Sequence, residues 1–135
     1  MITAVDTSVL IDVFGADTRF GTASASALRA GLNEGAVVAC SIVWGETRSA
    51  FASDEEFARA MRTLGVGFSA MQEPAATLAG VSWKKYRAAG GKRDRLIADF
   101  LIGAHAIRQC DRLMTRDRGY YKKYFGGLVI VNASA

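Results

Sequence analysis

Four acidic residues of this 135-residue chain stand where acids are scarce. Asp99 is the one formally charged residue in Leu-Ile-Ala-Asp-Phe-Leu-Ile-Gly-Ala-His-Ala-Ile, residues 96–107, a run apolar around its whole circumference when wound as a helix. Such a helix is buried, and a buried carboxylate needs a cation or an ion-pair partner. Arg95, four residues earlier, is the ion-pair alternative, while Gly103, one turn later on the same side, leaves room for a ligand beside the carboxylate. Glu46 shares a helical face with Ile42 and Ala50, an inward position for an acid, and Gly45 beside it implies a close approach to the backbone. Asp6 ends the apolar run Ile2-Thr3-Ala4-Val5, and Asp117 follows Arg112-Leu113-Met114-Thr115. Each of these two could equally be a helix N-cap. Together the four suggest more: carboxylates converging in a crevice repel one another unless cations neutralise them, and hard divalent ions such as Mg²⁺ or Mn²⁺ prefer such oxygen donors. Sites of that kind hydrolyse phosphate esters.

The elements that must position these acids alternate in type. Strands are expected at residues 2–5, 36–40, 66–68, 112–115 and 128–131, with helices at 8–14, 24–33, 42–51, 55–64, 74–89, 93–109 and 118–124. Ser41 and Asp54 are the expected N-caps of the third and fourth helices, and Pro74 suits the first turn of the fifth. This alternation predicts an α/β fold, a three-layer α/β/α domain around a mainly parallel central sheet of about five strands. In such sheets ligands bind beyond the carboxyl ends of the strands, where Asp6 and Asp117 lie.

At 50% hydrophobic and 22% charged residues, the composition is that of one globular domain spanning 1–135, without repeats or linkers. The longest uncharged run, 124–135, is 12 residues, short of the roughly 20 that cross a bilayer. The N-terminus lacks a basic segment ahead of its apolar run, and Cys40 and Cys110 have no metal-ligand spacing, so a cytoplasmic protein with reduced thiols is expected. The net charge of +4 is unevenly divided: residues 1–83 hold 5 bases and 9 acids, whereas residues 84–123 hold 12 bases and 4 acids. A polyanion partner accounts for that asymmetry, as does an ordinary solvated surface. Lys92, Arg93 and Arg95, with Arg116 and Arg118 flanking Asp117, are placed to meet phosphates at the rim of a site.

Val5-Asp6-Thr7-Ser8-Val9-Leu10-Ile11-Asp12, Glu46 after the second strand, Ala98-Asp99-Phe100-Leu101-Ile102-Gly103-Ala104-His105-Ala106 and Leu113-Met114-Thr115-Arg116-Asp117-Arg118 follow one another in an order that resembles the PIN-domain ribonucleases. Within them the chain looks most like the VapC toxins of VapBC toxin–antitoxin modules. The resemblance covers nearly the whole chain. It implies a Mg²⁺- or Mn²⁺-dependent endoribonuclease with Asp6, Glu46, Asp99 and Asp117 as the metal-binding and catalytic acids. Ser8 would supply the hydroxyl next to the metal site, and Thr115 the supporting hydroxyl before the last acid. It further implies a homodimer, an RNA substrate, and a small VapB-type antitoxin that holds the toxin inactive in a hetero-oligomer.

Two alternatives remain at this level: a PIN-like module that binds RNA without cutting it, and a metal-dependent nuclease acting on DNA. Phosphatases of the haloacid dehalogenase type and response-regulator receivers are disfavoured. Asp6-Thr7-Ser8 lacks the second Asp of the former, and the adjacent acid pair of the latter is absent. Asp12 reads as a surface or structural acid and His105 as a core histidine. The run Tyr120-Tyr121-Lys122-Lys123-Tyr124 reads as partly packed on the sheet with its cations solvated. Val9, Leu10, Val13, Phe51, Phe57 and Met61 are candidates either for core or for a face that an antitoxin helix covers.

Overall fold

The computed structural model describes residues 1–92 and 97–134, with Arg118 described in its backbone only. Strand β1 (Ile2–Val5) leads into α1 (Thr7–Phe14) and α2 (Gly21–Glu34), then β2 (Ala36–Cys40), α3 (Ser41–Arg48), α4 (Asp54–Leu64) and β3 (Gly67–Ser69). The chain continues through α5 (Glu73–Ala88), α6 (Ile97–Gln109), β4 (Arg112–Thr115), α7 (Arg118–Tyr124) and β5 (Ile130–Asn132). All neighbouring strands pair in parallel, in the order β3-β2-β1-β4-β5.

That order fixes the layers. From β1 the chain moves outward to β2 and β3, and it then returns past β1 to β4 and β5. Parallel crossovers are right-handed, so α1 to α4 cover one face of the sheet and α5 to α7 the other. The strand order reverses between β1 and β4, where Val5 pairs with Met114 and the Asp6 amide donates to the Met114 carbonyl at 2.9 Å. Such a switch point leaves a crevice at the strands' carboxyl ends. Below it, Val5, Val37, Ala39, Leu113 and Met114 of the sheet pack with Val9, Leu10, Leu28, Val43 and Phe100 of the helices into the core.

The structure moves several expected boundaries. Helix α3 ends at Arg48, not 51, and its N-cap is Cys40; the Ser41 hydroxyl instead accepts from the Met71 amide at 3.3 Å. Ser53, not Asp54, caps α4, its hydroxyl accepting from the Glu56 amide at 3.1 Å. Ser53-Asp54-Glu55-Glu56 carries the spacing of a capping box, a signal one residue ahead of the expected cap. Strand β3 sits one residue later than expected and β5 two residues later at its start. Residues 93–96 of the expected sixth helix lie outside the described residues. No helix among the described residues is long and apolar enough to cross a membrane. Cys40 and Cys110 are free thiols.

Candidate active site

Four separate segments deliver acids to one cavity of about 460 Å³ at the switch point, lined by Asp6, Thr7, Ser8, Glu46, Asp99, Ile102, Arg116 and Asp117. Asp6 arrives from the end of β1 as the N-cap of α1, Glu46 from α3, Asp99 from the first turn of α6, and Asp117 from the turn between β4 and α7.

Asp6 is the most enclosed of them, 9% exposed. Its Oδ1 accepts from the Thr7 amide at 2.8 Å, and its Oδ2 accepts from the Thr115 hydroxyl at 2.7 Å and from the Tyr121 hydroxyl at 3.4 Å. Burial nevertheless holds its carboxyl above the ordinary value of 3.8, with Asp99 and Glu46 adding repulsion, against the lowering effect of the Thr115 and Thr7 bonds. Thr115, fully buried, also accepts from the Asp117 amide at 2.9 Å. One hydroxyl thus ties the acid after β1 to the backbone of the acid after β4.

Glu46 is exposed rather than inward, and its Oε1 accepts from the Thr7 hydroxyl at 2.7 Å. The inward face expected from Ile42 and Ala50 is not formed, because α3 ends before Ala50. A side chain at Gly45 would enter open space, with no described residue beyond its chain neighbours and the helix backbone within 4 Å of its first carbon, so the close approach expected there is not found. Gly103 is also reassigned: a methyl group there would strike the Phe125 ring, so the glycine admits that ring and not a ligand. Ser8 lines the cavity, and its buried hydroxyl has no hydrogen-bond partner among the described residues. A buried hydroxyl left unsatisfied is costly, which fits an outside partner at this point.

Two residues emerge that the sequence reading did not single out for the site. Thr7 gives its amide to Asp6 and its hydroxyl to Glu46, and its position directly after an acid at a strand end was the available signal. Tyr121 reaches Asp6 from the opposite face of the sheet, and burial together with the Asp6 charge keeps its phenol protonated, hence a donor. No sequence spacing announces that contact.

The expected phosphate-binding residues separate. Arg116 lines the cavity but gives its hydrogen bonds to Asp12, itself 3% exposed, so Asp12 is a structural acid. Lys92 borders a different cavity with Tyr86, Tyr120, Lys123 and Tyr124. Arg93, Arg95 and the Arg118 side chain lie outside the described residues. Tyr120 and Tyr121 are buried, while Lys122 and Lys123 are exposed. His105 is buried with its Nε2 at 2.8 Å from the Ser69 hydroxyl, outside the acid cavity, as a core histidine should be. Val9, Leu10, Phe57 and Met61 belong to the core; Val13 and Phe51 pack against it half-buried.

Among the described residues no three His, Cys, Asp or Glu side chains are placed to enclose a metal ion directly. The donors still suit a hard divalent cation, because Mg²⁺ keeps several of its waters and takes only one or two carboxylates directly. A carboxyl held above its ordinary value by burial, with Asp99 and Glu46 adding repulsion, and the orphan hydroxyl of Ser8 beside it fit a small cation and its polar company.

A three-layer parallel fold with acids gathered at its switch point defines a recognisable class of domain. The sequence matches the PIN domain family over residues 3–126, and the chain belongs to that family. Solved structures agree on the fold. VapBC2 from Rickettsia felis, bound to a DNA fragment from its promoter, superposes with a TM-score of 0.76 at 17% identity over 98% of both chains. VapBC-1 from nontypeable Haemophilus influenzae gives 0.75 at 18% identity over 100% of both. FitAcB from Neisseria gonorrhoeae gives 0.68 at 18% identity over 98% of both. No curated protein sequence matches the chain.

Proposed function

We propose that this chain is the toxin of a type II toxin–antitoxin pair, a divalent-metal-dependent endoribonuclease that hydrolyses RNA phosphodiester bonds. The observation that carries the reading is the convergence of Asp6, Glu46, Asp99 and Asp117, from four separate segments, on one cavity at the sheet's switch point. Membership of the PIN domain family and likeness to the VapBC and FitAcB structures support it.

The four acids would hold Mg²⁺ or Mn²⁺, which when bound supplies an activated water and stabilises the charge on the phosphate under attack. The chain's own residues set the geometry for this. Thr115 and Tyr121 orient the Asp6 carboxylate and Thr7 orients Glu46, while the buried Ser8 hydroxyl lies beside them without a partner among the described residues. The surplus of bases in residues 84–123 offsets the repulsion between an acidic cavity and a polyanion. In this reading the protein works in the cytoplasm as a homodimer, restrained by a VapB-type antitoxin.

The test expresses wild type and Asp99→Asn without antitoxin and maps the ends of cellular RNA. Growth arrest and new 5′-phosphate ends in wild type alone are expected, with purified activity abolished by chelation. Identical growth and RNA ends in both strains would refute the assignment, and cleavage of single-stranded DNA in place of RNA would convert it to a deoxyribonuclease.

A further inference from the structure

Arg116 lines the acid cavity, yet it is bonded to none of the four acids. Its Nε donates to Asp12 Oδ2 at 2.7 Å and its Nη2 to Asp12 Oδ1 at 3.1 Å. The guanidinium also lies over the Phe20 ring, 4.1 Å from the centroid. Asp12 Oδ2 is held in turn by the Ser24 hydroxyl at 2.9 Å. Residues of α1, α2 and the connection between them therefore fix one cation that follows β4, and its side chain stays 28% exposed.

A guanidinium has five N–H donors in a rigid fork. Asp12 takes two, and the others have no protein partner among the described residues. An unrestrained arginine in a cavity of carboxylates would pair with one of them, neutralising the site and hiding its own donors. The fork at Asp12 and the ring of Phe20 hold it back from that pairing.

We propose that Asp12, Ser24 and Phe20 form a mount that keeps Arg116 at the rim of the acid cavity, its open edge presented to a phosphate oxygen of a bound polynucleotide backbone. This rests on the nuclease reading and adds to it a substrate contact, Arg116, and a positioning residue, Asp12. A simple structural staple between the turn after β4 and the first helices makes a different prediction, because its loss would act on stability and not through Arg116.

The experiment measures binding of the full chain to a labelled single-stranded RNA oligonucleotide of mixed sequence by fluorescence anisotropy, in chelator to prevent cleavage, over a series of KCl concentrations. Arg116→Ala should weaken binding roughly tenfold, the loss of a charge-assisted hydrogen bond. It should also reduce the slope of log affinity against log salt by about 0.7, one phosphate contact on a single strand. Arg116→Lys should restore most of the slope but not the affinity, since the charge returns without the fork. Asp12→Asn should weaken binding in the wild-type background and cost nothing further in the Arg116→Ala background. If Asp12→Asn fails to fold, Phe20→Leu keeps the apolar cover, removes the ring face, and should show the same dependence on Arg116 at smaller size. Unchanged affinity and slope in Arg116→Ala, or equal effects of Asp12→Asn in both backgrounds, would overturn the mount alone. A wild-type chain that binds no RNA under these conditions would overturn the mount, while the nuclease reading is decided separately by the RNA ends of wild type and Asp99→Asn.

Discussion

Replacing Thr115 by valine isolates the hydroxyl that joins two of the four acids. The side chain is fully buried and the substitution conserves shape, so no cavity opens and the effect is that of two hydrogen bonds. The bond to Asp6 Oδ2, 2.7 Å long, is charge-assisted and lies in a site 9% exposed, where water cannot replace it. Its loss should cost about 1.5–3 kcal/mol. The Asp117 amide lies in a half-buried turn and can turn to water, so its share is smaller. With an unfolding entropy near 2.1 cal/mol/K per residue, a loss of about 2 kcal/mol lowers the melting temperature of a chain this size by roughly 7 °C. The assay is thermal unfolding in chelator near neutral pH, with Thr115→Ser as the control that keeps the hydroxyl and recovers most of the loss. The gap should narrow as the pH falls and Asp6 takes up its proton, because the bond then loses its charge assistance. A Thr115→Val melting temperature within about 1 °C of wild type would refute this account of the Asp6 environment.

Three further substitutions test the packing and the buried histidine. Gly103→Ala drives a methyl group into the Phe125 ring, which is buried among Phe100, Tyr121 and their neighbours and has little room to retreat; a loss of about 1–3 kcal/mol is expected in urea unfolding. Gly45→Ala enters open space on α3 and should stabilise by about 0.5–1 kcal/mol in the same assay, whereas a loss would mean that the backbone there is crowded. Burial holds the His105 pKa below its ordinary 6.5. The unfolded chain therefore binds the proton first, and stability is lost as the pH falls through 6.5 toward the depressed folded value. The urea midpoint of His105→Gln should depend less on pH over that window than that of wild type, and parallel profiles would exclude His105 as a source of acid sensitivity.

The fold was legible because its elements carry strong local signals. Short runs of strand type ending at Val5, Cys40 and Thr115 are parallel strands, and the alternation with helices leaves few other architectures. Boundaries were legible only where a cap was read correctly: Ser53 displaced Asp54 because the reciprocal spacing to Glu56 outweighs the presence of an acid in the first turn. The four acids can be found as charges in apolar or strand-end settings, although Glu46 is not on an inward face: it is exposed and reaches the cavity from the side of α3. Glycines were misread twice, at Gly45 and Gly103, because a sequence shows that a side chain is missing but not what fills the space. Thr7, Tyr121 and the Asp12–Arg116 pair depend on distances across the switch point, and separations of up to 115 residues leave no local trace.

The electrostatics of Asp6 bear on why so acidic a cavity persists in a basic chain. Thr7, Thr115 and Tyr121 give it donors, as a carboxylate in a protein interior requires, yet its burial and the charges of Asp99 and Glu46 keep the net displacement upward. An arrangement serving stability alone would turn a cation toward Asp6, and Arg116 stands in the same cavity. The fold instead commits that cation to Asp12, while the charges that reach Asp6 from Asp99 and Glu46 are repulsive. A divalent ion at the cavity would reverse the sign of these interactions, because each neighbouring carboxylate would then share in holding one charge. The upward displacement at Asp6 is thus of the kind that such an ion would remove on binding.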